Sequence, residues 1–153
     1  MIIELISTNK DVDGLHPFNI GSLAIRQPRL RSCTPYGVIK MLKASDIELE
    51  GLDATIVGVS NNVGRPMALE LLLEKCTITS CHSRTKDLEN KIRQAALVVV
   101  AVGRQNLVRG EWIKKGGIVV DIGFHRDDNK LVGDGYFEVA SLFASHKIPV
   151  HER

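Results

Sequence analysis

The sequence has no pair of cysteines at a bridging or metal-binding spacing. Cys33, Cys76 and Cys81 are an odd set without a C-x-x-C. That argues against a disulfide framework and makes a reducing, cytosolic setting the expectation. The five histidines, at 16, 82, 125, 146 and 151, show no H-x-x-x-H or related spacing, so no metal is assigned. No apolar stretch approaches the ~18 residues needed to cross a bilayer. The opening MIIELISTNK has no basic region ahead of an apolar one, so it does not read as a targeting peptide. A net charge of +2, with Lys and Arg scattered, leaves no electrostatic footprint for nucleic acid.

What the sequence does have is one domain's worth of ordinary globular composition in 153 residues, 44% hydrophobic and 25% charged. It is organised around Ala54 to Pro66, ATIVGVSNNVGRP. A β-branched run breaks at Gly58 and restarts as a helix after Asn61 and Asn62. Gly58, Ser60 and Gly64 are small enough for backbone to approach a bulky ligand, and the free N–H groups of the helix start can face a phosphate. The spacing is G-x-S-x-x-x-G, not G-x-G-x-x-G, and a βα turn that needs glycine only for its geometry is the competing reading.

Further apolar runs at 77–81, 97–102 and 117–122 read as strands, alternating with helical segments at 67–74 and 87–94. Leu69, Leu72 and Leu73 are the expected sheet-facing residues of the first, and Trp112 to Lys115 suggests a turn of helix. Continuous runs such as LVVVAV are those of strands buried on both faces of a parallel sheet. The implied fold class is α/β: a Rossmann-like, doubly wound, mainly parallel sheet with helices on both faces. Ligands in such sheets lie beyond the strand carboxyl ends, where Ser60, Ser83, Gly103 and Gly123 would fall. Beyond the strand at 77–81, an acid would accept from a ribose 2′-hydroxyl; here stands His82-Ser83-Arg84-Thr85, with no acid before Asp87. That favours NADP over NAD.

Toward the N-terminus, Met1 to Ile6 reads as a strand or a helix tail, in mid-element. Lys10 to Asn19, KDVDGLHPFN, is a polar loop with Asp11 and Asp13 on one side if extended. Thr34-Pro35 starts a helix with Val38, Met41 and Leu42 on its apolar face. Tyr36 and Lys40, four apart, share a face and can be either an acid/base pair or a surface pair. At the other end 126–134 is a polar turn with a short strand, 136–144 an amphipathic helix, and Ile148-Pro149-Val150 the start of a strand.

Taken in order, KDVDGLHPFN, CTPYGV, GVSNNVGRPMALELL, TSCHSRT, VVVAVG and VVDIGF resemble the bifunctional methylenetetrahydrofolate dehydrogenase/cyclohydrolase family, its bacterial members most closely. The resemblance implies oxidation of 5,10-methylenetetrahydrofolate to the methenyl form with NADP, hydrolysis to 10-formyltetrahydrofolate, a cytoplasmic setting and a homodimer. It places Asp13 at the carboxylate that holds the pterin ring. It places Gly58, Ser60, Asn61, Val63, Gly64 and Arg65 in the cofactor loop, Ser83 and Arg84 at the adenosine ribose, and Gly103 and Gly123 beneath the nicotinamide half. Ser32, His125 and Gly135 depart from the family pattern.

The family's own catalytic Tyr-x-x-x-Lys and glutamine belong to a first domain not represented in this sequence, and its long C-terminal helix is replaced by His-Glu-Arg. Tyr36 and Lys40 do not replace the catalytic pair. The expectation is therefore a single NADP-binding domain, 1–153, with no certain catalytic residue and little or no turnover by this chain alone. A non-catalytic dimerisation or regulatory module derived from the family is the alternative.

Overall fold

The computed structural model describes residues 2–103, 107–122, 124–127, 130–133 and 145–149. Its centre is a five-stranded sheet in which every pairing is parallel. The strands are β1 (Asp53–Val57), β2 (Thr77–Cys81), β3 (Leu97–Val100), β4 (Ile118–Asp121) and, from further along the chain, β7 (His146–Pro149). They lie in the order β2-β1-β3-β4-β7. Between β4 and β7 the chain forms a separate antiparallel hairpin of β5 (Phe124–Asp127) and β6 (Lys130–Gly133).

Parallel strands need crossovers, and the helices that supply them cover both faces. Ala54 and Ile56 of β1, Leu97 and Val99 of β3, and Ile118 and Val120 of β4 point to one face. They pack there against α2 (Cys33–Ala44) and α3 (Gly64–Leu73). The alternate residues Val57, Val98, Val100 and Val119 face the other way, against Ile92 of α4 (Leu88–Gln94). Strands buried on both sides have no solvent face to alternate with, which explains the unbroken apolar runs. Each such side chain contributes roughly 1.5–3 kcal/mol by burial.

Several sequence expectations are corrected here. The apolar face of α3 is Met67 and Leu71, with Glu70 buried beside them, while Leu72 is 53% exposed. The shift occurs because Arg31 supplies a cation to Glu70, so a charged residue can turn inward. The segment 2–5 is a short 3₁₀ turn rather than a strand, and the turn expected at 112–115 is a 3₁₀ turn at Gly110–Trp112. Helix α1 (Pro17–Ala24) begins inside the loop expected at 10–19; Pro17 starts it, and the His16 ring accepts from the Phe18 N–H. The helix expected at 136–144 lies outside the described residues.

Candidate dinucleotide site

The chain leaves β1 for β2 on one side and returns to place β3 on the other, so the winding reverses between β1 and β3. Gly58 sits at that reversal. Its φ of +118° belongs to glycine alone, and a Cβ there would run into the Ala101 carbonyl just beyond β3. Its N–H donates to the Cys81 carbonyl at the end of β2 at 2.9 Å, so it bridges both neighbouring strand ends. Gly64, the first residue of α3, lies so close above it that a Cβ would run into the Gly58 carbonyl and stand 2.9 Å from the Val59 Cα. The two glycines let a helix N-terminus sit over the strand ends, where its N–H dipoles favour an anion.

The turn between them is Ser60-Asn61-Asn62-Val63. Part of the helix start is engaged within the turn itself. Ser60 Oγ accepts from the N–H groups of Val63 at 3.2 Å and Gly64 at 3.4 Å, and the Ser60 carbonyl accepts from Arg65 at 3.0 Å. Ser60 is therefore an internal cap. The exposed Asn61 and Asn62 carry the N–H groups of this turn that Ser60 does not engage. Arg65 is exposed on the first turn of α3.

Beyond β2, residues 82–85 close a tight turn. Thr85 N–H donates to the His82 carbonyl at 2.9 Å, and His82 N–H donates to Thr85 Oγ1 at 2.8 Å. Ser83 and Arg84, both exposed, occupy the tip. Asp87, the first acid after β2 and the residue before α4, accepts from Asn90 Nδ2 at 2.7 Å. Gly103 follows β3 with φ +63°. Gly123 lies outside the described residues.

On the other flank Asp11 and Asp13 diverge, because the segment turns instead of extending. Asp11 is buried: its carboxylate accepts from Asn19 Nδ2 at 2.7 Å and from the N–H groups of His16 at 2.8 Å and Leu15 at 3.2 Å. Burial alone pushes its pKa up, but these hydrogen bonds together outweigh that, and the net shift is downward. Asp11 is structural. Asp13 is exposed, with Cys33 Sγ 4.0 Å from its carboxylate.

Segment 31–33 joins that flank to the Ser60–Gly64 turn. A Cβ at Gly14 would come 2.7 Å from the Ser32 nitrogen, and Ser32 Oγ donates to the Asn62 carbonyl at 3.0 Å. Arg31 makes a two-pronged contact with Glu70 of α3, one arm at 2.9 Å, and stacks 3.9 Å from the centre of the Tyr36 ring. The Glu70 hydrogen bond holds the Arg31 pKa above its ordinary value. The loop that carries Asp13 and the Ser60–Gly64 turn are thus fastened to the same three residues. Nothing in the sequence marks Ser32 for this role.

Lys40 Nζ lies over the Tyr36 ring, 5.1 Å from its centre, so the pair is a cation–π contact. Among the described residues no group of three His, Cys, Asp or Glu is placed to hold a metal ion, and no helix is long and apolar enough to cross a membrane.

A parallel sheet whose winding reverses at a glycine, with a helix N-terminus above the reversal, defines a Rossmann-type dinucleotide-binding domain. Residues 32–152 match the family model for the tetrahydrofolate dehydrogenase/cyclohydrolase NAD(P)-binding domain. The bifunctional protein FolD of Methylobacillus flagellatus is 61% identical over 150 residues, 97% of this chain and 52% of that protein. The crystal structure of the bifunctional FolD dehydrogenase/cyclohydrolase from Campylobacter jejuni superposes with a TM-score of 0.94 at 50% identity, covering 97% of this chain and 54% of that one. The Trypanosoma brucei enzyme, crystallised with NADP cofactor and inhibitor, gives 0.89 at 37% identity with the same coverage. The chain belongs to the tetrahydrofolate dehydrogenase/cyclohydrolase family, in its NAD(P)-binding domain. It spans about half the length of the curated relative it matches.

Proposed function

We propose that residues 1–153 form a single NADP-binding domain of a methylenetetrahydrofolate dehydrogenase/methenyltetrahydrofolate cyclohydrolase. The observation that carries this is the pairing of two loops at the strand ends. The glycine-lined turn at 58–64 offers helix-start N–H groups, and the neighbouring turn at 82–85 presents Ser83 and Arg84, with Asp87, the first acid after β2, bonded to Asn90 instead. A carboxylate there would repel a 2′-phosphate; a guanidinium pairs with one.

In this reading Gly58, Ser60, Asn61, Val63, Gly64 and Arg65 cradle the pyrophosphate side. Ser83 and Arg84 take the 2′-phosphate, and Gly103 and Gly123 lie beneath the nicotinamide half. Bound NADP supplies the hydride acceptor for the methylene carbon of the folate, giving the methenyl form that water then converts to 10-formyltetrahydrofolate. This chain's own residues bind and orient. Asp13 is the carboxylate for the pterin ring, and the fastening through 31–33 holds it at a set distance from the cofactor loop, which suits a reaction that depends on positioning two flat rings. Acid/base chemistry is assigned to no residue of this chain, and little turnover is expected from it alone. The setting is cytoplasmic and the assembly a homodimer, as in the resemblance.

Calorimetric titration of the purified chain with NADP and separately with NAD tests this. NADP should bind well ahead of NAD, and Arg84→Ala should weaken NADP by about 1.5–3 kcal/mol, the worth of a charge-assisted contact. A folded chain that binds neither would instead support a dimerisation or regulatory module. Substantial NADPH formation from methylenetetrahydrofolate by this chain alone would overturn the assignment of chemistry elsewhere.

A further inference from the structure

The two bonds between His82 and Thr85 close the turn but act only on its ends. They leave the peptide unit joining Ser83 to Arg84, the one whose flip distinguishes the two common turn types, without restraint. A third bond supplies it: Arg84 N–H donates to His82 Nδ1 at 3.1 Å. We propose that His82 is a positioning residue for recognition of the 2′-phosphate, its ring locking the Ser83–Arg84 peptide so that the tip presents its donors to a phosphate monoester. The proposal rests on the NADP reading of this turn.

The chemistry of the ring supports it. An accepting Nδ1 requires a lone pair there, which in the neutral imidazole puts the proton on Nε2. The ring then holds the turn with one nitrogen and offers a donor with the other. Around it stand donors: the Ser83 hydroxyl, the Arg84 guanidinium and, just past the turn, Lys86. Among the described residues Arg84 makes no ion pair that would divert it. The anchor is firm as well. Cys81 immediately before the turn is fully buried, and its carbonyl takes the Gly58 N–H, so the start of the tip is tied to the glycine turn after β1. The bond from a side chain to the N–H two residues on is the geometry of an Asx-turn, so asparagine can reproduce it and alanine cannot.

The experiment measures NADP and NAD affinities for the wild-type chain, His82→Ala and His82→Asn by calorimetry, with thermal melts confirming that each is folded. One neutral hydrogen bond is worth about 0.5–1.5 kcal/mol, so His82→Ala should weaken NADP roughly two- to tenfold and leave NAD within about twofold. His82→Asn should recover most of the loss. Equal effects of His82→Ala on both cofactors, no effect on either, or an asparagine variant no better than alanine would overturn the role of His82 alone. A wild-type chain with no preference for NADP would overturn the cofactor reading and this proposal together.

Discussion

Arg31→Met should be among the more damaging single substitutions in this chain, and the reason lies on Glu70. The Glu70 side chain has no solvent-exposed surface, and its cation is Arg31, whose own side chain is 18% exposed. Removing one partner of a buried pair leaves the other charge uncompensated, at a cost of about 3–5 kcal/mol. The stacking of Arg31 on Tyr36 disappears at the same time. For a chain of this size each kcal/mol moves the melting temperature by about 2–4 °C, so the drop should be roughly 6–20 °C. Replacing both partners, as Arg31→Met with Glu70→Leu, removes the stranded charge and should return the protein to within about 1–2 kcal/mol of wild type. Urea unfolding of the four proteins of this cycle, followed by circular dichroism, gives the coupling directly. The reasoning fails if Arg31→Met costs under about 1 kcal/mol, or if the double variant is as unstable as the single.

Asp11→Ala should cost about 2–4 kcal/mol, since it strips acceptors from two backbone N–H groups and the Asn19 amide. Because its folded pKa is lowered, Asp11 stabilises the protein above its unfolded pKa near 3.8, and that contribution disappears as pH falls toward the folded value. An acid titration of stability should therefore be flatter below about pH 4 in Asp11→Ala than in wild type. Gly58→Ala should abolish cofactor binding in calorimetry and lower stability by at least about 1–3 kcal/mol, from its φ and the overlap with Ala101; an alanine variant that binds like wild type would contradict the close packing. A thiol reagent should label Cys33 alone in the native chain and all three cysteines after unfolding, because Cys76 and Cys81 are buried and the Cys76 thiol is pushed up to about 11, chiefly by burial.

The sheet was readable because β1, β3 and β4 are short β-branched runs bounded by turn residues, and a strand buried on both faces needs nothing else to mark it. The reversal at Gly58 was readable for the same reason: a glycine ends the run where a helix begins. Elsewhere the signal is long-range or ambiguous. The inward turn of Glu70 depends on Arg31, distant in sequence, so helical periodicity alone assigned its place on α3 to leucines. Ser60 carries one hydroxyl, and sequence cannot say whether a ligand or the helix start uses it. Asp11 and Asp13 differ in fate because the backbone turns between them, and alternation along an extended strand does not apply to a turn. Ser32 acts through one hydrogen bond to a residue on another loop, which has no spacing to detect.

The reversal at Gly58 comes from the order in which the strands are wound, whereas Ser83 and Arg84, proposed to read the 2′-phosphate, stand on an exposed tip outside both core clusters. Fold and cofactor preference therefore occupy separate parts of the molecule. Exchange of Ser83 and Arg84 at the tip leaves the strand pairings of the sheet untouched, so cofactor preference can drift, or be engineered, at little expense in stability. The segment 31–33 has no such freedom. It touches the loop that carries Asp13, the Ser60–Gly64 turn and the buried Glu70 at once, so a change there is felt by both loops and the fold together.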